Sequence, residues 1–171
     1  SWLSPNSCPD FRSHLLTFRP TPVKMEFASA NKDCVEEPIM FRQMLRAKIH
    51  RATVTGADLN YMGSLTLDAK LLAAAGILPY ERVLVVDIDN GNRFETYAIT
   101  GPAGSGAVVM NGAAARLVQK GDKVIIMSFA YLEEHELPKW EPRVVFVDDK
   151  NQVTQVATGA VEMDSWASES N

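Results

Sequence analysis

Cysteine is the scarcest residue in this chain: 171 residues contain only Cys8 and Cys34. Their spacing matches neither a metal-ligand pattern nor a disulfide framework, and it leaves the redox compartment open. Clustered positive charge is also missing. The 17 Lys and Arg are interspersed with 21 Asp and Glu, giving a net charge of -4. That pattern offers little footprint for a phosphate backbone or an anionic bilayer, so neither a nucleic-acid nor a membrane partner is expected. No apolar run approaches the length of a membrane span, and the first residues lack the basic, apolar and small-residue order of a secretory signal, so the expected location is the cytoplasm. His14, His50 and His135 form no helical ligand pair, and no phosphate-loop glycine pattern or Gly-x-Ser-x-Gly elbow occurs. Metal, nucleotide and hydrolase-triad chemistry therefore have no foothold.

The composition that remains, 46% hydrophobic and 22% charged, is that of one globular domain with a real core. Residues 1–39 carry Pro5, Pro9, Pro20, Pro22 and Pro38 among polar residues without steady apolar periodicity, and read as a disordered or non-native extension. Its origin stays open between an added leader, a truncated fragment and translated sequence upstream of a start at Met40. Residues 157–171 are small, acidic and polar and read as a flexible tail. The working domain is thus expected over 40–156. Within it, short β-like runs at 83–88, 96–99, 107–110, 124–129 and 144–147 are separated by Gly, Pro and Asn. Asn90-Gly91 predicts a tight hairpin with positive φ at both residues. Arg93 and Tyr97, an even number of positions apart, are then expected on one face of the return strand. One helix is expected with Asp68 as its cap, Leu71 and Leu72 buried and Gly76 at its end, and a second over 112–118. Short strands with two small helices suggest a compact, mainly β barrel.

The chemistry-bearing segments are Tyr61-Met62-Gly63-Ser64, Lys48 with His50, Arg93 to Tyr97, and Asn111 to Ala115. A Gly-Ser pair is ordinarily a turn. Its hydroxyl can also attack the preceding carbonyl, converting amide to ester, where the backbone is strained and the oxyanion stabilised. Elimination from the ester leaves dehydroalanine at position 64, and its hydrolysis releases ammonia and an N-terminal pyruvoyl ketone. Lys48 and Arg93 are by default solvated strand charges; the sharper reading is carboxylate recognition. Tyr97 is either a half-buried strand aromatic or a proton donor. Asn111 and Gly112 read as a turn, with Ala113 opening a helix whose N-H groups can face an anion.

Taken in order, MFRQMLRAKIHRATVT, ADLNYMGS, LLAAAGIL, NGNRFETYAI, VVMNGAAARLVQKGDKVIIMSF and WEPRVVF resemble the pyruvoyl-dependent aspartate 1-decarboxylase family over most of the compact domain. Asn60 and Met62 flank the motif where members often vary, and residues 1–39 fall outside the family pattern. The resemblance implies a six-stranded double-ψ β-barrel and a homotetramer with active sites between subunits. It implies cleavage between Gly63 and Ser64 and a covalent pyruvoyl group derived from Ser64, with no metal and no pyridoxal phosphate. L-Aspartate would bind that group as a Schiff base and leave as β-alanine and carbon dioxide, feeding pantothenate synthesis. By the same resemblance Tyr97 is the proton donor, and Lys48, Arg93, Thr96, Gly112, Ala113 and Ala114 bind substrate. Thr96 and Asn111 match positions that serve cleavage and oxyanion stabilisation. His50 is assigned either an auxiliary or a structural role. Some members also need an accessory protein to mature. The rival readings are a catalytically silent barrel that acts as a binding module, and a pyruvoyl decarboxylase for another amino acid.

Overall fold

A computed structural model describes residues 39–159. The expectations for residues 1–38 and for 160–171 lie outside that range. The protein is mainly β. Among the described residues nine strands form one sheet: β1 (Phe41–Thr53), β2 (Gly56–Asp58), β3 (Leu65–Asp68), β4 (Arg82–Asp87), β5 (Arg93–Gly101), β6 (Val108–Asn111), β7 (Lys123–Glu133), β8 (Arg143–Val147) and β9 (Val153–Thr158). Their order is β2-β6-β3-β5-β4-β7-β1-β8-β9. The sheet folds back on itself, because the chain leaving β1 bonds β6 near the opposite end, Thr55 N-H donating to the Val108 carbonyl at 2.8 Å. Asn151 adds a second tie, its side-chain amide donating to the Thr53 and Gly106 carbonyls at 2.8 and 2.7 Å. The enclosed space is filled by Ile49, Leu65, Leu67, Val85, Met110, Ile126 and Val145, all fully buried.

Strand β1 is the longest element and the periodicity of its sequence did not predict it. It pairs antiparallel with β7 and parallel with β8, and its register against β7 shifts between Leu45 and Ala47 and again between Ile49 and Ala52. Arg51, at φ 58°, sits in the second shift. Each bulge moves the inward-facing set by one residue, so Ala47, Ile49, Ala52 and Val54 are all buried although their spacing is not a constant two.

The helix α1 (Ala69–Ala75) follows its predicted signals. Asp68 accepts from Lys70 N-H at 2.8 Å, and Leu71, Leu72 and Ala75 are buried. At the other end Gly76 N-H reaches the Ala73 carbonyl and Ile77 N-H reaches that of Leu72, a Schellman ending. The buried Asp68 carboxylate also accepts from Gly104 and Gly106 N-H at 2.9 and 2.7 Å. Burial alone would push its pKa up, but the backbone N-H donors of Lys70, Gly106 and Gly104, with the Lys70 charge, hold it below the usual value.

Two expectations need correction. The β4–β5 hairpin is not a two-residue turn: Asp87 N-H bonds the Asn92 carbonyl at 2.9 Å, so residues 88–91 form the loop. Gly91 has φ 78°, while Asn90 is not among the positive-φ residues and uses its side chain to brace the loop. The segment expected as a helix over 112–118 is a 3₁₀ helix, Gly112–Arg116, capped by Leu117. The last described strand runs through Ala157 to Thr158, with Thr158 opposite Arg143.

Candidate active site

The Gly63–Ser64 peptide sits where an irregular loop enters β3. On its N-terminal side Gly63 N-H bonds the Tyr61 carbonyl at 3.1 Å, closing a tight turn at Met62. A Cβ on Gly63 would lie 2.9 Å from both the Tyr61 ring and Ile99 Cδ1, so this position admits only glycine without rearrangement. On the C-terminal side the Ser64 carbonyl accepts from Asn111 N-H at 2.8 Å, and Leu65 is fully buried. A Cβ built on Gly112, at φ 56°, would stand 3.7 Å from the Gly63 carbonyl oxygen, so that carbonyl looks onto the start of the 3₁₀ helix.

Gly63 and Ser64 line a pocket of about 570 Å³. Strand β5 forms one wall through Phe94, Glu95, Thr96 and Tyr97, and the opposite wall is Asn111, Gly112, Ala113, Ala114 and Leu117. The loop residues Leu59, Asn60, Tyr61 and Met62 complete it. The sequence reading placed Ser64, Tyr97, Thr96, Asn111, Gly112, Ala113 and Ala114 at one site, and the fold brings all of them to this pocket. Glu95, Phe94 and Leu117 were not singled out; their only sequence signal was membership of the matching segments. Glu95 is the notable one, since it places a carboxylate at the rim. Arg82, opposite Tyr97 in the β4–β5 register, pairs with it. That partner offsets the repulsion Glu95 would exert on an anion, and this exposed pair is worth little in stability.

Tyr97 is 42% exposed and its ring lies 6.5 Å from that of Tyr80. The exposure pattern along β5 alternates, putting Arg93, Glu95 and Tyr97 on one face as expected. Arg93 itself precedes the lining run and is exposed, about 13 Å along the strand from Tyr97. Asn111 is buried, and its side-chain amide donates to Thr66 Oγ1 at 2.9 Å rather than to the Gly63 carbonyl.

Lys48 and His50 are elsewhere. Lys48 stands opposite Met127, Met127 opposite Leu84, and Leu84 opposite Glu95, so three strand steps separate Lys48 from the pocket wall. Burial lowers the Lys48 pKa. His50 packs edge-on against Phe146 with ring centroids 5.7 Å apart, and burial, reinforced by the charges of Lys48 and Arg51, lowers its pKa to about 4. Among the described residues no group of three or more His, Cys, Asp or Glu side chains could hold a metal ion, and no helix is long and apolar enough to cross a membrane.

The fold and site define a mainly β protein with a pocket lined by both residues of one Gly-Ser peptide bond. The sequence profile of the aspartate decarboxylase family matches residues 40–154, and the chain belongs to that family. An aspartate 1-decarboxylase of Neisseria meningitidis is 62% identical over 117 residues, covering 68% of this chain and 92% of the relative. One from Carboxydothermus hydrogenoformans is 59% identical with the same coverage. One from Moorella thermoacetica is 54% identical over 127 residues, 74% of this chain and 99% of the relative.

Proposed function

We propose that the chain cleaves itself between Gly63 and Ser64, turns Ser64 into a pyruvoyl group, and decarboxylates L-aspartate to β-alanine and carbon dioxide. The observation that carries this reading is the convergence of Gly63 and Ser64 on one pocket with Thr96, Tyr97, Asn111 and the Gly112–Ala114 backbone. In maturation the Ser64 hydroxyl attacks the Gly63 carbonyl carbon, the amide becomes an ester, and elimination followed by hydrolysis releases ammonia. Gly63 suits the step because the space beside the Tyr61 ring and Ile99 leaves no room for a Cβ, and its carbonyl oxygen lies near Gly112 at the start of the 3₁₀ helix. Thr96 and Asn111 are assigned to the developing oxyanion. For Asn111 this requires its amide to leave Thr66 Oγ1.

The residues present fit a pyruvoyl group at position 64. The Ser64 carbonyl is held by Asn111 N-H and β3 enters the core directly after it, so the new chain end stays in the pocket. When present, the group supplies an electrophilic ketone that captures the substrate amine and accepts the electron pair as carbon dioxide leaves. Tyr97 donates the proton that replaces the lost carboxylate. Thr96 and the Gly112, Ala113 and Ala114 backbone position the substrate, and Arg93 and Lys48 hold its two carboxylates. Lys48 stands too far along its own sheet to serve this pocket, which favours its acting in the pocket of a neighbouring protomer within a homotetramer. The finer architecture we assign is a double-ψ barrel of six of the nine strands, supported by the fold-back of the chain after β1 onto β6. The catalytic domain is assigned to 40–156, with β-alanine entering pantothenate synthesis.

Intact mass of the denatured purified protein tests the reading. We expect two species divided after Gly63, the longer one starting with pyruvoyl, and a single uncleaved chain for Ser64→Ala. Repeating the measurement after incubation with cell extract separates unaided from accessory-dependent maturation. A full-length chain under both conditions would sink the proposal. Tyr97→Phe should still cleave, while kcat for β-alanine release falls by about 100-fold or more.

A further inference from the structure

The two walls of the pocket are joined outside it by a pair of carboxamides. Leu117, the residue that caps the 3₁₀ helix Gly112–Arg116, offers its carbonyl to both Asn90 Nδ2 at 3.1 Å and Asn92 Nδ2 at 2.8 Å. Both asparagines belong to the segment that ends β4 and opens β5. Asn90 is itself fixed. Its Nδ2 also donates to Asp87 Oδ2 at 2.9 Å, and its Oδ1 accepts Asn92 N-H at 2.8 Å. Asp87 is buried at the end of β4 and takes Asp89 N-H and Asn90 N-H on its other oxygen. A chain of bonds thus runs from the barrel interior through Asp87 and Asn90 to the Leu117 carbonyl, with Asn92 as a second donor there.

We propose that Asn90 and Asn92 are positioning residues that set the separation between the β5 wall and the Gly112–Ala114 wall, and thereby the fit of the substrate. The proposal rests on the pocket's assignment as the aspartate site. Asn92 is followed directly by Arg93, and Leu117 itself lines the pocket, so the clamp spans the mouth between the residues assigned to carboxylate binding and the backbone groups opposite. The 3₁₀ helix is five residues long, too short to hold its own place by internal bonds. The clamp bonds do not involve the Gly63–Ser64 peptide, whose own backbone hydrogen bonds run to the Tyr61 carbonyl and the Asn111 N-H.

Asn92 is the residue to change, because the recorded side-chain bond it makes is the one to Leu117, whereas Asn90 also builds the loop. Asn92→Asp keeps the shape but replaces a donor with an acceptor facing a carbonyl. We expect complete cleavage, a KM for L-aspartate raised about fivefold or more with kcat within twofold, and partial recovery in Asn92→Gln, which retains a donor. Unchanged KM, or equal losses in both variants, would overturn the proposal. A second measurement is independent of activity: in the uncleaved Ser64→Ala chain, Asn92→Asp should speed amide hydrogen exchange of Leu117, whose N-H bonds Ala114, by about fivefold while β4 and β5 keep their protection. Unaltered exchange there removes the clamp whatever the enzyme does, and a wild-type chain that never cleaves or decarboxylates counts against the functional reading instead.

Discussion

The two sides of the Gly63–Ser64 bond are built differently. Before it, Leu59, Tyr61 and Met62 are exposed, Met62 at 98%, and the local backbone is a turn held by one short-range bond. After it, β3 plunges into the core: Leu65 and Leu67 have no exposed surface, and β3 is paired on both sides by β5 and β6. The N-terminal piece is anchored further back, where β2 pairs with β6 and β1 lies between β7 and β8. A cut at this junction would free a loop end to move while keeping the new N-terminus, the one that carries the reactive group, fixed against the sheet. The pieces should then stay together until the protein is denatured, since their contacts are ladders rather than the severed bond.

The largest expected effect belongs to the fixed side. Leu67→Ala deletes a fully buried side chain three residues beyond Ser64, and should cost about 2–5 kcal/mol of stability in urea denaturation. That is a large part of the whole for a domain with about 5–15 kcal/mol in hand. A loss below about 1 kcal/mol would mean that β3 does not anchor the junction, and the contrast between the two sides would collapse.

A smaller effect tests how the N-terminal piece is seated. His50 on β1 packs against Phe146 of β8, and its folded pKa of about 4 lies below the ordinary value of 6.5. The unfolded chain therefore binds the extra proton first. The contribution of neutral His50 is fully present above about pH 6.5 and is lost as pH falls toward about 4. NMR titration should find the imidazole neutral at pH 6, and the acid-side loss of stability between those values should shrink in His50→Phe. A midpoint near 6.5 would show that β1 is loosely held at this point.

Legibility in the sequence followed the same divide between locally encoded and distantly assembled features. Asp68, Leu71, Leu72 and Gly76 announced α1 because caps and helical spacing are local. Val83 and Val85 announced β4 because an undisturbed strand alternates. β1 was silent because two bulges break its alternation, and β9 because it buries almost nothing. The members of the pocket were legible through their joint resemblance to one family, since no single motif specified the site. What no local pattern could give was placement: that Lys48 lies three strands from β5, that Thr66 holds the Asn111 amide, and that Asn90 and Asn92 share one carbonyl. Asn90-Gly91 misled in an instructive way, because a buried Asp87 captures the loop's donors and makes the second positive φ unnecessary.

The smallest effect is expected immediately before the bond. Met62 is next to the proposed cut yet nearly its whole side chain meets solvent, so Met62→Ala removes almost no contact. The turn around it is closed by backbone atoms, Gly63 N-H to the Tyr61 carbonyl, which the substitution leaves intact. Stability should stay within about 0.5 kcal/mol of the parent, and the time course of cleavage followed by intact mass should be unchanged within twofold. Tyr61→Ala is the paired variant: it removes the ring that fills the space where a Gly63 Cβ would stand, and cleavage should slow where Met62→Ala leaves it alone. If the two variants slow cleavage equally, side-chain bulk at the loop tip, rather than the Tyr61 ring and the backbone turn, sets the geometry of the attack.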